Sequence, residues 1–520
     1  MPRPHKKLRV WEPMLIGISA AIGLLVGYTI NLDSGSRSLF KSEEITSSIS
    51  ARQDGRIEEV IRFIETTYVD SIDSDEMSIN IIDNLLQDLD PHSSYITPEN
   101  LNDHNDRMKG IYKGIGVETM EINDTFYFSK IIQGSDAENQ GVLPGMAILE
   151  VDEVPVSGVN MSFDSLKIRL KDAEMESIIL KLQDVSGEQY TKEVQRKEIV
   201  IASASESFLI DDETGYVKMT RFSGNTYEQF VESMERMTKD KTELNLVLDL
   251  RDNPGGYLPE AIKVLSQLFP NKDKLLTYTK GLNREKQEYR STGKIFYNIK
   301  KVAILINNYS ASGSEILAGA VQDWDRGIII GERSYGKGLV QEIFPLKNGG
   351  ALRLTVAKYY TPSGRLIQRS YESETNEFAA DSITRKTKIL DREMPSGIGV
   401  HPDLEVKKKE SQDCFEYEYY IDNYIIWSMH KAKSKAYPAL KLAKSNYEKF
   451  VTDIIDDRLM KKVDCTSDFD YLAKRSYYKL VSDSTLYQKL IVNNDEAISL
   501  ATEYINNPKS AEDILLSYEK

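Results

Sequence analysis

The chain has 520 residues, more than one ordinary core holds, so three or four domains are expected. Hydrophobic residues at 40% and charged residues at 28% are globular proportions. A net charge of −15 argues against a nucleic-acid partner, which needs clustered Lys and Arg to neutralise phosphates; the nearest basic cluster, Lys407, Lys408 and Lys409, reads as a solvated face.

In chain order, Arg3, Lys6, Lys7 and Arg9 precede an almost unbroken apolar run from Met14 to Ile30. That length reaches the lower limit for crossing a bilayer, and the basic flank should stay cytoplasmic. A cleaved signal peptide is the competing reading; because no Ala-x-Ala site follows, an uncleaved membrane anchor over residues 1–33 is favoured. The remainder is then extracytoplasmic, or periplasmic in a Gram-negative cell. Ile57, Val60, Ile61, Phe63 and Ile64, then Ile81, Ile82, Leu85, Leu86 and Leu89, recur at helical spacing and mark a helical region over 50–110. Asp90-Pro91-His92-Ser93-Ser94-Tyr95 closes that pattern, and His92 beside a proline turn is read as a structural hydrogen-bonder rather than a catalyst.

Residues 111–198 have a different texture of short alternating runs separated by Gly, Pro and Asp. The stretch from Gly134 to Met146, G-S-D-A-E-N-Q-G-V-L-P-G-M, with the later I-L-E-V-D, resembles a PDZ domain. The resemblance implies that Gly114, Ile115, Gly116 and Val117 form a loop whose backbone N–H groups hold a peptide's terminal carboxylate. An ordinary turn is the alternative for the Gly-x-Gly pair alone.

From 199 to 410 strands and helices alternate, the pattern of an α/β domain. Asp249-Leu250-Arg251-Asp252-Asn253-Pro254-Gly255-Gly256 ends one strand, and its two glycines leave N–H groups bare for an anion, unless the turn is merely tight. The apolar run 302–306 leads into Ser310-Ala311-Ser312-Gly313-Ser314-Glu315, and a helical pattern follows over 316–324. A serine on a strand-to-helix turn is rigidly held, faces a cleft and lies beside free helix N–H groups. Ser312-x-x-Glu315 also reads as a capping box. The five histidines, His5, His92, His104, His401 and His430, all lie outside the serine and glycine motifs, so the candidate base is Lys337, a lysine that serves if burial removes its proton. Gly331-x-x-x-x-Gly336-Lys337 opens like a P-loop, but Gly338 stands where Ser or Thr is required and the following 339–345 pattern is β-like.

The segments L-D-L-R-D-N-P-G-G, S-A-S-G-S-E-I-L-A-G-A, G-E-R-S-Y-G-K-G-L-V-Q and Y-Y-T-P-S-G-R, behind a PDZ-like region, resemble the carboxyl-terminal processing (tail-specific) proteases over about residues 55–410. The resemblance implies a multidomain α+β fold: a crotonase-like α/β protease core over 199–410 with an inserted β-rich PDZ domain. It implies Ser312 as nucleophile, Lys337 as general base and Gln341 as the residue orienting the lysine. Backbone N–H groups of Gly313 and of Gly255 or Gly256 would form the oxyanion hole. Gly313 stands where alanine is usual, and Asp252 where Gly or Asn is commoner. No cofactor or metal is expected. The implied function is a serine endopeptidase that binds protein C-termini through its PDZ domain; the alternative is a catalytically silent PDZ scaffold.

Residues 371–394 read as a polar, flexible surface insertion, and 411–520 as a tyrosine-rich helical region without chemistry of its own, suited to homo-oligomer formation or to docking a partner. Its two cysteines, Cys414 and Cys465, lack metal-ligand spacing and form either a disulfide or two free thiols.

Overall fold

The computed structural model describes residues 55–520 apart from 172–175, 240, 242, 370–380, 407–413, 456–468, 482, 508, 510 and 518–520. The apolar run from Met14 to Ile30 lies outside the described residues, as does Cys465. Among the described residues no helix is long and apolar enough to cross a membrane. The chain divides into two compact units, residues 1–84 and 85–520. The first contains the helix Arg56–Thr67, on which Ile57, Val60 and Phe63 are exposed.

The second unit is a mixed α/β assembly built on a six-stranded sheet ordered Ala204–Leu209, Thr214–Met219, Glu243–Asp249, Asn298–Ile306, Ile328–Gly331 and Leu404–Glu405. All its pairings are parallel except that of the first two strands. Residues in a strand point alternately to opposite faces, and here both sets are apolar. Leu246, Leu248, Val302, Ile304, Ile306 and Ile329 face one core. Helices Thr226–Thr238, Leu258–Gln267 and Gly313–Asp323 cover that face through Phe230, Met234, Val264, Leu265, Leu317 and Val321. Val247, Ala303, Leu305, Ile328 and Ile330 face the other side, where Ile498, Ala501, Tyr504 and Ile505 of helix Glu496–Asn506 seal them.

A five-stranded antiparallel sheet lies beside this core. In it, strand Ala351–Tyr360 pairs with Leu339–Pro345 on one side and with Ser94–Ile96 and Leu275–Lys280 on the other. A further antiparallel sheet runs from Val117–Ile122 to Gln189–Gln195, with helix Phe163–Lys171 against it. The chain enters and leaves this β-rich part through paired strands, Ile111–Gly114 against Lys197–Val200, so its two ends lie side by side.

The segment expected to be a flexible loop over 371–394 is different where it is described. Asp381–Lys386 and Glu393–Ser396 form a hairpin, and between them Arg392 is buried, pairing with Asp325 at 2.8 Å and Asp403 at 2.7 Å. Polar composition misled there because two buried carboxylates supply what solvent otherwise would.

The helical C-terminal region joins two parts of the molecule. Ile421, Tyr424, Ile425 and Met429 of helix Cys414–Ala432 pack on Met120, Ile122 and Val185 of the β-rich part, and His430 Nε2 meets the Gly145 carbonyl at 2.6 Å. Further on, Asp495 caps helix Glu496–Asn506 and also contacts Arg251 at 2.8 Å, which holds the fully buried Asp249 at 2.6 Å. Burial alone would raise the Asp249 pKa, but Arg251, Lys218 and Tyr216 outweigh it and hold it at about 2. Arg251→Met strands that carboxylate, and the expected loss is about 3–5 kcal/mol in urea denaturation near neutral pH. An unchanged midpoint would show that Tyr216 and Lys218 suffice.

Candidate active site

The strand Asn298–Ile306 ends beneath a turn whose last residue, Ser312, precedes helix Gly313–Asp323. Ser312 has φ 53° and ψ −110°, a conformation costing a non-glycine residue roughly 1–3 kcal/mol. The helix begins three residues earlier than the 316–324 pattern indicates, because Glu315 accepts the Ser312 N–H at 2.8 Å and so fixes its first turn.

Glu315 does more than cap. It is fully buried, and besides Ser312 it accepts from Ser334 Oγ at 2.5 Å, from the Gly336 N–H at 2.7 Å and from the Lys337 N–H at 2.8 Å. One carboxylate oxygen, Oε2, takes both the Ser312 and the Lys337 N–H. The main chains of these two residues, far apart in sequence, therefore converge on a single atom. Burial pushes the Glu315 carboxyl up to about 6, while its four donors pull it back.

Lys337 lies in the loop between strand Ile328–Gly331 and strand Leu339–Pro345; no helix follows the glycines, so no P-loop is built. Its Nζ donates to Gln341 Oε1 at 3.2 Å, and Gln341 Nε2 donates to the His92 carbonyl at 2.8 Å. Among the described residues no hydrogen bond joins Lys337 to Ser312 Oγ. Burial first, and then the charge of Arg353, lower the lysine's pKa, against the opposing pull of Asp90 and Glu315.

The glycine turn sits directly against the serine turn. A Cβ on Gly255, where φ is +92°, would lie 2.7 Å from Ser312 Cβ and 2.8 Å from Gly313 N, so no larger residue fits. The Asn253 carbonyl accepts from Ala311 N at 3.0 Å and from Ser314 Oγ at 3.0 Å, and Ser310 Oγ donates to the Leu250 carbonyl at 2.8 Å. Asp252 adopts φ 63° and exchanges two hydrogen bonds with Asn307, which explains an acidic residue at this position. Gly255 donates its own N–H to Asn253 Oδ1 at 2.9 Å. The N–H groups of Gly256 and Gly313 are not so engaged among the described residues.

Comparison with known proteins gives the family. A model described as Peptidase family S41 matches residues 213–374, which include both turns and Lys337. A "Carboxy-terminal-processing protease" of Bartonella bacilliformis is 34% identical over 325 residues, covering 61% of this chain and 73% of that protein. The chain belongs to peptidase family S41. A "Probable CtpA-like serine protease" of Staphylococcus aureus, 30% identical over 314 residues, covers 60% of this chain, which spans 62% of that relative. Among solved structures, a photosystem II D1 C-terminal processing protease has 24% identity, covers 67% of this chain and 92% of its own, and has a TM-score of 0.36. As an S41 peptidase with carboxy-terminal-processing relatives, the protein is a serine-type peptide hydrolase.

In this S41 peptidase, the residues singled out from sequence fall in two places. Ser312, Gly313, Gly255, Gly256, Lys337 and Gln341 share one neighbourhood through the bonds above. Gly114, Ile115, Gly116 and Val117 lie in the β-rich part, at the mouth of its edge strand Val117–Ile122. Gly116 has φ +82°, and a Cβ there would lie 2.1 Å from Ser135 Cβ. Sequence reasoning missed Glu315 as a brace and His92 as the acceptor for Gln341. For His92 the signal was its place beside a proline turn, which points to the backbone rather than the ring.

Proposed function

We propose that this S41 peptidase is an endopeptidase that uses a Ser312/Lys337 dyad on polypeptides whose C-termini are bound by residues 111–198, a PDZ domain inserted in a crotonase-like core over 199–410. The observation that carries this reading is the shared Glu315 oxygen, which brings the main chains of Ser312 and Lys337 together around a lysine whose burial favours the neutral amine. Substrate completes the dyad: Lys337, its amine oriented by Gln341, takes the Ser312 proton, and Ser312 Oγ attacks the peptide carbonyl. The N–H groups of Gly256 and Gly313 receive the oxyanion, the amine leaves with the proton from Lys337, and water hydrolyses the acyl-enzyme. Support for C-terminal recognition comes from Ile115 and Gly116, whose N–H groups meet no acceptor among the described residues beside an unpaired sheet edge. Residues 1–33 would anchor the enzyme so that this chemistry occurs outside the cytoplasm.

A fluorophosphonate probe followed by peptide mapping tests the dyad: one adduct on Ser312, formed far more slowly in Lys337→Arg, is expected. Two substrates differing only in a free or amidated C-terminus test recognition, the free acid being cleaved faster. An adduct on Ser310 or Ser314 would overturn the assignment, and equal cleavage of the two substrates would remove the carboxylate loop from the reading.

A further inference from the structure

The turn Asp90-Pro91-His92-Ser93 is absorbed by no step of the proposed mechanism, yet it reaches the general base. Gln341 has a two-faced amide, and which face meets Lys337 is decided on the far side. There Gln341 Nε2 donates to the His92 carbonyl at 2.8 Å, which leaves Oε1 turned to Lys337 Nζ. The direction of that carbonyl is fixed in turn. Asp90 Oδ1 accepts the N–H groups of His92 at 2.7 Å and Ser93 at 2.8 Å, while Asp90 Oδ2 accepts Ser93 Oγ at 2.8 Å. Ser93, itself buried, accepts the Thr355 N–H at 3.3 Å, and Thr355 is the cross-strand partner of Gln341. The loop closes on itself: Asp90 and Ser93 to Thr355, Thr355 across the ladder to Gln341, and Gln341 back to His92.

We infer that Asp90 and Ser93 are positioning residues for catalysis, setting through the His92 carbonyl the orientation of Gln341 and hence the place of the Lys337 amine. The inference rests on the Ser312/Lys337 reading. A carbonyl acceptor is a suitable device, because it fixes the amide without placing another charge beside a lysine that has to be neutral to act. The charged and titratable groups facing Lys337 are Asp90 and His92 from this turn, Arg353 from strand Ala351–Tyr360 and Glu315 from helix Gly313–Asp323.

The experiment is steady-state kinetics across pH on the full chain, with melting temperature as a control. Asp90→Ala is expected to lower kcat by about 10- to 100-fold with KM within about twofold, the cost of a misplaced catalytic group. The acidic limb of its kcat/KM profile should move to lower pH, since the lysine loses both a hydrogen-bond acceptor and the Asp90 charge; a loss of folded fraction alone moves no limb. Asp90→Asn keeps an acceptor for both N–H groups and should recover kcat to within about threefold while the limb stays displaced. Ser93→Ala carries the test if Asp90→Ala does not fold, with an expected kcat loss of about three- to tenfold. Wild-type kcat and limb in folded Asp90→Ala or Ser93→Ala would overturn the inference, as would an Asp90→Asn loss equal to that of Asp90→Ala. A Lys337→Ala enzyme with wild-type rate would instead overturn the dyad itself, so the two failures are distinct.

Discussion

Under the proposed dyad, Ser312→Ala is expected to lower kcat by on the order of a million-fold and Lys337→Ala by about ten-thousand-fold or more, with both proteins folded, because in that reading the two residues act as one unit. The double variant should be little worse than Ser312→Ala. The more discriminating substitution is Lys337→Arg. It keeps the positive charge, but a guanidinium does not lose its proton in the working range, so a residue needed as a base is lost as fully as in the alanine variant. If Lys337 served only to hold charge near the oxyanion, arginine would retain activity. The pH profile supplies an independent check. Burial and Arg353 lower the pKa of Lys337, so kcat/KM should rise along a limb centred below the ordinary lysine value of about 10.4. Arg353→Met removes one of those two causes and should shift that limb upward. A limb that stays in place would mean that burial alone sets the lysine.

Local pattern carried much of the geometry around Ser312. The apolar run before the serines and the β-like 339–345 segment are real strands, and the turn between strand and helix holds Ser312 in view of the glycine turn. What pattern could not carry were contacts between distant segments. Glu315 reads from sequence as a cap because its near partner is three residues away; its other partners, Ser334, Gly336 and Lys337, come from beyond the next strand. The second layer on the core sheet was hidden differently. Val247, Ala303, Leu305 and Ile330 signal it by making their strands apolar on both faces, but nothing local says that a helix some 200 residues downstream provides the cover. Arg392 shows the opposite error, a charged residue in a polar stretch that two distant carboxylates draw into the interior. The distinction matters for the C-terminal region, which sequence left as a surface for oligomers or partners. Its packing on Met120 and Ile122 at one end and beside Arg251 at the other spends much of its apolar and capping capacity within the chain.

Glu315→Gln, a change of one atom, is expected to cost about 1–3 kcal/mol and to lower kcat by about a hundred-fold or more, with Ser312 and Lys337 both intact. The carboxylate has acceptors on both oxygens and four donors aimed at it. An amide has a single acceptor oxygen, so whichever way it turns, at least one backbone N–H faces an NH2 group and is left buried without a partner. If the amide nitrogen replaces Oε2, the donors lost are the N–H groups of Ser312 and Lys337, and the two halves of the site lose their common tie. If it replaces Oε1, Ser334 Oγ turns to accept from the NH2 group while the Gly336 N–H is freed, and the loop holding Lys337 loosens instead. Glu315→Asp is not a remedy, because a side chain one methylene shorter does not span from its helix to the Lys337 loop. The pH dependence of stability separates this from a generic packing defect. The folded-state pKa near 6 lies above the ordinary glutamate value of 4.5, so the favourable contribution is full below 4.5 and is lost as pH rises through 6. Glutamine has no such dependence. The stability gap between wild type and Glu315→Gln should therefore be widest in acid and narrow toward neutrality, whereas a gap that is constant with pH would mean that burial does not raise the Glu315 carboxyl.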